Sequence, residues 1–337
     1  MTGAAPTLVT GATGFVGAHL ARALVARGDA VRCLVRAGSE RTNLEGIDVE
    51  VVEGDLRDRA SLARAARGCR AVYHCAADYR LYARRTRDLY DSNVDGTRNL
   101  LRAAGDAGAE RIVYTSSVAA LGLRADRPAD ETAEATLETT IGHYKKSKLL
   151  AQRAAEELAA EGLPVVIVNP STPIGELDVK PTPTGQIIVD YLRGRMPAYV
   201  DTGLNLIDVR DVAQGHLLAE TRGRVGERYI LGHRDMTLKE ILDALAALTG
   251  LPPVRVRLPH LVPLAVAAAS TGWARLLGGA PRVPLESARM ATKRMYFDAG
   301  KAVRELGLPQ SPIEEALARA VAYFEGRGLA PGRGDRR

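Results

Sequence analysis

The sequence predicts an α/β fold built on a doubly wound parallel sheet, and three observations carry that expectation. The chain opens with a short apolar run at Thr7–Val9, a glycine-rich turn at Thr10–Gly17 and a helix-like stretch at Ala18–Arg27. Short β-branched runs then alternate with alanine-rich segments through the first half. Residues of chemical interest follow the strands, which is where open parallel sheets hold their ligands.

Strands are expected at Thr7–Val9, Ala30–Val35, Val49–Glu53, Ala71–Cys75, Arg111–Thr115 and Pro164–Asn169. Helices are expected near Ala18–Arg27, Ser61–Arg67, Asp95–Ala107 and Ile141–Glu161. Such alternation means βαβ units, whose right-handed crossovers cover both faces of the sheet. After Asn169 the character changes. Pro170–Pro183 reads as a proline-rich loop. Later helices are expected at Val212–Glu220, Thr237–Leu248, Leu285–Met290 and Ile313–Glu325, with short strands at Arg228–Leu231 and Val254–Arg257. The chain thus divides into a main domain, residues 1–172, and a smaller C-terminal α/β substrate lobe, residues 173–325. Residues 207–220 of that lobe are expected to return to the main domain. A disordered tail rich in Gly and Arg is expected at 326–337.

A chain of 337 residues exceeds what one core usually organises, and 46% apolar with 26% charged residues is ordinary globular composition. The net charge of +6 comes from arginines interleaved with acids, and three Phe with one Trp leave little for stacking bases. A nucleic-acid role is set aside. Cys33, Cys69 and Cys75 lack metal-type spacing and suit a reduced, cytoplasmic protein without a bound metal. Met1 leads almost directly into the first strand, so no signal peptide is expected. The apolar stretch Leu258–Leu277 is interrupted by Pro259, His260, Pro263 and Arg275 and makes a poor membrane span. It reads as a lobe helix; the lesser alternative is contact with a membrane surface or a greasy substrate.

Gly11, Gly14 and Gly17 stand in G-x-x-G-x-x-G spacing, one residue longer than G-x-G-x-x-G. With a strand before and a helix after, the pattern reads as a Rossmann dinucleotide site. The glycines permit a tight turn and close approach to a pyrophosphate, and the helix N-terminus offers free N–H groups. Arg36 follows the second strand where an acid would hold the ribose of NAD, with Ser39 and Arg41 close behind. NADP(H) is therefore favoured over NAD(H), the alternative being that Arg36 is a solvated residue stacking on adenine. Asp55, in Gly54-Asp55-Leu56, is placed to hold the adenine amine. Cys75-Ala76-Ala77 offers small residues where backbone must lie near phosphates and ribose.

Tyr144 and Lys148 are four residues apart, hence on one helical face. An ammonium beside a phenol is expected to lower its pKa from about 10 and make it a proton donor or acceptor at a carbinol oxygen. The pair alone is weak. Ser117, just beyond the fifth strand, faces the same cleft and can hold that oxygen, whereas Ser116 reads as a turn cap.

Thr10–Gly17, the arginine after the second strand, Gly54-Asp55-Leu56, Asn93–Thr97, Tyr114–Gly122, Tyr144–Lys148 and Asn169-Pro170-Ser171 together resemble the extended short-chain dehydrogenase/reductases. The likeness runs from residue 7 to about 325. Within them, Val165–Gly175, Lys180–Gly185 and Met196–Leu206 look like the hopanoid-associated sugar epimerases, relatives of dihydroflavonol-4-reductase-like enzymes. The resemblance implies a Ser117-Tyr144-Lys148 triad supported by Asn93, with Lys148 also on the nicotinamide ribose. It implies a cofactor held by Gly11, Thr13, Gly14, Phe15, Val16, Gly17, Arg36, Asp55, Leu56, Cys75, Ala76, Ala77, Thr115, Tyr144, Lys148, Asn169, Pro170 and Thr172. It also implies a small-molecule substrate, hopanoid-linked or sugar-like, and a homodimer through the helices at Asp95–Ala107 and Tyr144–Glu161.

Two departures narrow the chemistry. The dehydratases of this family carry an Asp-Glu pair where this chain has Val118 and Ala119, which argues against dehydration. Nucleotide-sugar epimerases place an arginine shortly before the Val-x-Asp motif, where this chain has Leu204; Arg193, Arg195 or Arg210 would have to compensate. Epimerase and ketone reductase share one triad, so both readings stay open, and a non-catalytic dinucleotide-binding redox sensor is the rival from another class.

Overall fold

The computed structural model describes residues 5–78, 86–277, 288–289 and 292–331. Seven parallel strands form the central sheet: β1 (Thr7–Thr10), β2 (Val31–Val35), β3 (Glu50–Glu53), β4 (Ala71–His74), β5 (Arg111–Thr115), β6 (Val165–Pro170) and β10 (Arg228–Leu231). Their spatial order is β10-β6-β5-β4-β1-β2-β3. β1, β4 and β6 are buried throughout, so they read as continuous apolar runs instead of alternating ones. Chain order runs outward from β1 to β3 and then jumps back to β4. The crevice that such a reversal opens lies beyond the C-terminal ends of β1 and β4.

Both faces are covered. On one side α1 (Phe15–Arg27) and α7 (Val209–Arg222) place Leu20, Leu24 and Val212 in a core with Val9 and Val113. On the other, α2 (Arg59–Ala66), α4 (Gly96–Asp106) and α5 (His143–Ala160) bring Leu62, Leu101 and Leu158 to Leu8 and Ile112. Neighbours Ile112 and Val113 serve opposite cores, the period of two of a strand. A short helix, α3 (Arg87–Tyr90), runs through a wide π-type turn, Asp91–Asp95, into α4.

The lobe contains β7 (Thr172–Ile174), α6 (Pro183–Leu192), β8 (Ala198–Val200), β9 (Gly203–Asp208), β11 (Arg234–Thr237), α8 (Leu238–Thr249), β12 (Val256–Leu258), α9 (Leu261–Leu277), β13 (Arg294–Met295), α10 (Gly300–Leu306) and α11 (Ile313–Gly326). β9 pairs with β7, β11 and β13, and β8 pairs with β12. Ile188, Leu206, Leu242, Leu317 and Phe324 belong to a separate core.

Several details differ from the sequence reading. The loop expected at Pro170–Pro183 contains β7 and ends at a helix start. Pro183 opens α6, and Thr182 Oγ1 caps it by accepting from the Gly185 N–H at 3.2 Å. Proline is at home in a helix's first turn, where its missing N–H costs nothing. The chain returns to the main domain through α7, as far as Leu231, because β10 joins the large sheet beside β6. Past Gly326, where a tail was expected, Ala330 is still buried, and the Leu329 N–H bonds the Phe324 carbonyl at 2.9 Å. Of the helix expected at Leu285–Met290, only Ala288 and Arg289 fall within the described residues.

Candidate active site

The glycine turn forms the floor of the crevice. Gly11 has φ +74°, and a Cβ there would stand 2.7 Å from the Ala76 nitrogen and 2.8 Å from its Cα. Glycine therefore serves both the backbone and the close approach of β1's turn to the chain leaving β4. A Cβ on Gly17 would collide with the Gly11 carbonyl. Gly14 begins α1 without a side-chain cap, and the first turn holds no acid. The leading N–H groups of this 13-residue helix, around Phe15 and Val16, thus remain available to an anion. Asn43 Nδ2 pins the turn by donating to the Thr13 and Leu177 carbonyls, both at 3.1 Å.

At the rim, Arg36 is exposed beyond β2. Asp55 is gripped by Arg57, whose Nε and Nη2 donate at 2.9 and 2.8 Å and whose backbone N–H adds a third bond. That grip, with the Arg36 charge adding to it, pushes the carboxyl down to about 2. Arg41 is paired with Glu53 at 2.7 Å. Leu56 is buried, and a Cβ on Gly96 would meet it at 2.7 Å, so it packs against the start of α4.

The residues expected to carry the chemistry lie beyond β5 and β6. Tyr144 and Lys148 occupy the first turns of α5, and Ser117 caps a short 3-10 turn by accepting from the Ala119 N–H at 3.1 Å. Burial pushes the Tyr144 phenol up to about 12, with the nearby Ser117 hydroxyl pulling the other way. This corrects the expected acidified phenol. Lys148 Nζ donates to the Thr115 carbonyl at 2.9 Å and lies 5.2 Å from the Tyr114 ring centroid. Desolvation also lowers Lys148 to about 8, with the neighbouring Cys75 pulling the other way.

Asn93 sits in the π-type turn, a local widening that often marks functional positions. Its Nδ2 donates to the Asp78 carbonyl and to Ser147 Oγ, both at 2.9 Å, while its Oδ1 accepts from the Asp78 N–H at 2.7 Å. Ser147 Oγ donates to the Tyr144 carbonyl at 2.7 Å, which ties Asn93 to the first turn of α5.

Sequence reasoning missed the rest of this chain of bonds. Thr97 Oγ1 donates to the Asn93 carbonyl at 2.6 Å, so its lone pair must accept from His74 Nε2 at 3.0 Å. His74 Nδ1 then accepts from Thr10 Oγ1 at 2.9 Å, and Thr10 accepts from the Ala76 N–H at 3.2 Å. One neutral tautomer satisfies every partner, and burial lowers the His74 pKa to about 3. Thr10, His74 and Ser147 lay inside or beside the motifs. For Thr10 and His74 the signal was a polar residue at the end of an otherwise apolar strand, which demands a buried partner.

Thr115 Oγ1 lies 3.1 Å from Cys75 Sγ and 2.8 Å from His216 Nε2. Asn169 Nδ2 donates to the Ser117 carbonyl at 2.9 Å and to Gln152 Oε1 at 2.7 Å. Its Oδ1 is buried without a hydrogen-bond partner, as is the neighbouring Ser171 Oγ. Pro170 ends β6 and Thr172 begins β7, so both border the same end of the sheet. The supposed substitutes for the pyrophosphate arginine are placed elsewhere. Arg210 is held by Glu176 at 2.7 Å, and Arg193 and Arg195 are exposed after α6.

A dinucleotide fits these residues on three counts: the glycine turn whose Gly11 lies tight against Ala76 backbone, the uncapped α1 N-terminus and the unpartnered Asn169 oxygen. Fold and site together define an NAD(P)-dependent enzyme of the short-chain dehydrogenase/reductase superfamily. The chain belongs to the NAD dependent epimerase/dehydratase family, whose profile matches residues 7–232. It is similar to a putative dihydroflavonol 4-reductase of Synechocystis sp., with 51% identity over 95% of this chain and 94% of that one. Sterol demethylase protein B of Methylococcus capsulatus is 37% identical over 96% of this chain and 99% of its own. Among solved structures, the dTDP-glucose 4,6-dehydratase DesIV of Streptomyces venezuelae, with NAD bound, has a TM-score of 0.78. It is 26% identical, covering 97% of this chain and 99% of that one.

Proposed function

We propose that this enzyme is an NADP(H)-dependent ketone reductase or epimerase acting at a secondary carbinol or ketone carbon of a hopanoid-linked or sugar-like substrate. The carrying observation is that Tyr144 and Lys148 stand on one face of α5 close to Ser117, with burial pushing the phenol up to about 12. Such a phenol is protonated at neutral pH and is ready to donate, which is what ketone reduction asks of it. The cofactor, when bound, supplies or removes hydride. Ser117 orients the substrate oxygen, Tyr144 gives it a proton, and Lys148 fixes the nicotinamide ribose and supports the phenolate left behind. Asn93 positions the turn. Arg36 is the residue chosen for the 2′-phosphate of NADP.

Reduction is the first reading, supported by the reductase among the relatives. Epimerisation is the second, supported by the family. A free nucleotide sugar is disfavoured: with Leu204 at the arginine position and Arg210 held by Glu176, its diphosphate forgoes charge-assisted bonds worth about 1.5–3 kcal/mol each. A polycyclic substrate is supported by the sterol demethylase relative. A cytoplasmic homodimer packed through α4 and α5 completes the proposal.

Purified enzyme mixed with NADPH and a panel of polycyclic and sugar-derived ketones tests it. Steady loss of cofactor absorbance marks a reductase; inversion of the carbinol with retained cofactor and no net oxidation marks an epimerase. Equal or better use of NADH would overturn the NADP preference, and full turnover by Tyr144→Phe would overturn the mechanism.

A further inference from the structure

Charge is distributed very unevenly along this chain. Residues 255–294 carry seven Lys and Arg against one Glu, while the remainder carries 39 of each sign. The whole net charge of +6 therefore belongs to one stretch of 40 residues in the lobe. The same stretch includes α9, and the sequence from Leu258 to Ala274 contains no Asp, Glu, Lys or Arg.

The structure turns that apolar run outward. Leu261, Val262, Ala265, Val266, Ala268 and Ala269 are exposed, with Leu261 at 77% and Val266 at 53%, whereas Ala267 is buried beneath them. The exposed positions recur at helical spacing and make one continuous stripe. Val256 on β12, just before the helix, is 56% exposed.

Cations gather at the start of this stripe. His260 Nε2 lies 2.8 Å from the Asp201 carbonyl, and Arg257 and Arg294 both hold the Asp201 carboxylate, at 2.8 and 2.9 Å. The Lys293 carbonyl accepts from Thr202 Oγ1 at 2.9 Å, which brings Lys293 to the same corner. Arg257, Lys293 and Arg294 are all exposed there beside Asp201, and Arg255, two residues before Arg257, is exposed as well.

We propose that α9 is a membrane-docking element that lays its apolar stripe into the surface of an anionic lipid bilayer while the flanking cations meet the headgroups. An exposed apolar helix face beside a concentrated positive charge is the chemistry of an interfacial helix. At 17 residues the helix is about 25 Å long, short of a bilayer core of about 30 Å. It lies on the membrane and does not cross it. Docking there brings the lobe to the phase in which a strongly apolar substrate is dissolved. The inference stands on the lobe surface alone and does not depend on the substrate named above.

Vesicle flotation of the full chain tests it, with pure phosphatidylcholine against an equimolar mixture of phosphatidylcholine and phosphatidylglycerol. The expected result is co-flotation with the anionic vesicles, weakened by salt. Leu261→Glu combined with Val266→Glu lowers partitioning more than tenfold, and Lys293→Ala lowers it about fivefold. Thermal midpoints equal to that of the parent show that the variants are folded. Equal binding to both compositions, binding to neither, or undiminished binding by the double variant overturns the proposal. A dimer in sedimentation that the double variant splits into monomers also overturns it, because a second copy then covers the stripe.

Discussion

The two ends of the central sheet are finished in opposite ways. At the N-terminal end, Arg27, Asp29, Arg70, Tyr73 and Glu220 close on one another. Glu220 takes Arg27 at 2.7 Å, Arg70 at 2.5 Å and the Tyr73 hydroxyl at 2.7 Å, and Asp29 takes both arginines. These charges satisfy each other and hold Glu220 below the usual carboxylate range despite its burial. At the C-terminal end, hydroxyls, amides and imidazoles surround the Lys148 ammonium, and buried oxygens on Asn43, Asn169 and Ser171 have no hydrogen-bond partner. Where a protein only has to hold together, its polar groups pair internally. Where it has to hold something else, it leaves capacity unspent.

The comparison can be broken by experiment. The largest effect belongs to Tyr144→Phe, expected to cut turnover by about 100- to 10,000-fold while leaving the thermal midpoint and cofactor binding in place. Absorbance assays and melts run side by side check it. Gly11→Ala comes next. Its Cβ meets Ala76 backbone, so cofactor-induced thermal stabilisation disappears, and a normal midpoint shift on adding NADPH would contradict the assigned floor.

Thr97→Val severs the bonds between His74 and Asn93. It is expected to lower kcat about tenfold with KM little changed, because it disturbs the position of α5's first turn and not the binding surface. An equal change in KM would point to a wider structural disturbance. The opposite end should behave inversely: Glu220→Gln costs about 2 kcal/mol of stability by denaturant titration and leaves kcat unchanged.

The most gradual effect is that of pH. His74 and His216, lowered by burial to about 3 and about 4, stay neutral in the fold but protonate at about 6.5 once unfolded. Below pH 6.5 the unfolded chain therefore binds more protons. Stability is lost as pH falls, by about 3 kcal/mol for His74 alone at pH 4. His74→Gln should flatten part of that slope in melts recorded across the range. In the reductive direction, kcat/KM should fall as pH rises through about 8, where Lys148 loses its charge.

Much of this was legible in sequence. The βαβ order, the glycine turn and the placement of Ser117, Asn93, Tyr144 and Lys148 followed from local patterns and from family resemblance, because each is written within a few residues. The lobe was harder to read. β7, β9 and β13 are two to six residues long and acquire meaning only by pairing with one another across the chain. α6 was hidden because Pro183 was read as a breaker when it starts a helix. The tuning of Tyr144 was misjudged for a related reason. Spacing places a lysine on the same helical face, but burial and the lysine's own partner, the Thr115 carbonyl, belong to the folded molecule.

The close approach of Gly11 to Ala76 has a practical corollary for redesign. In the cofactor site proposed above, main chain meets main chain at this point, so its shape is inherited with the sheet. On that proposal, retargeting between the two nicotinamide coenzymes would work on the periphery at Arg36, whose exposed side chain can be swapped without touching the foundations.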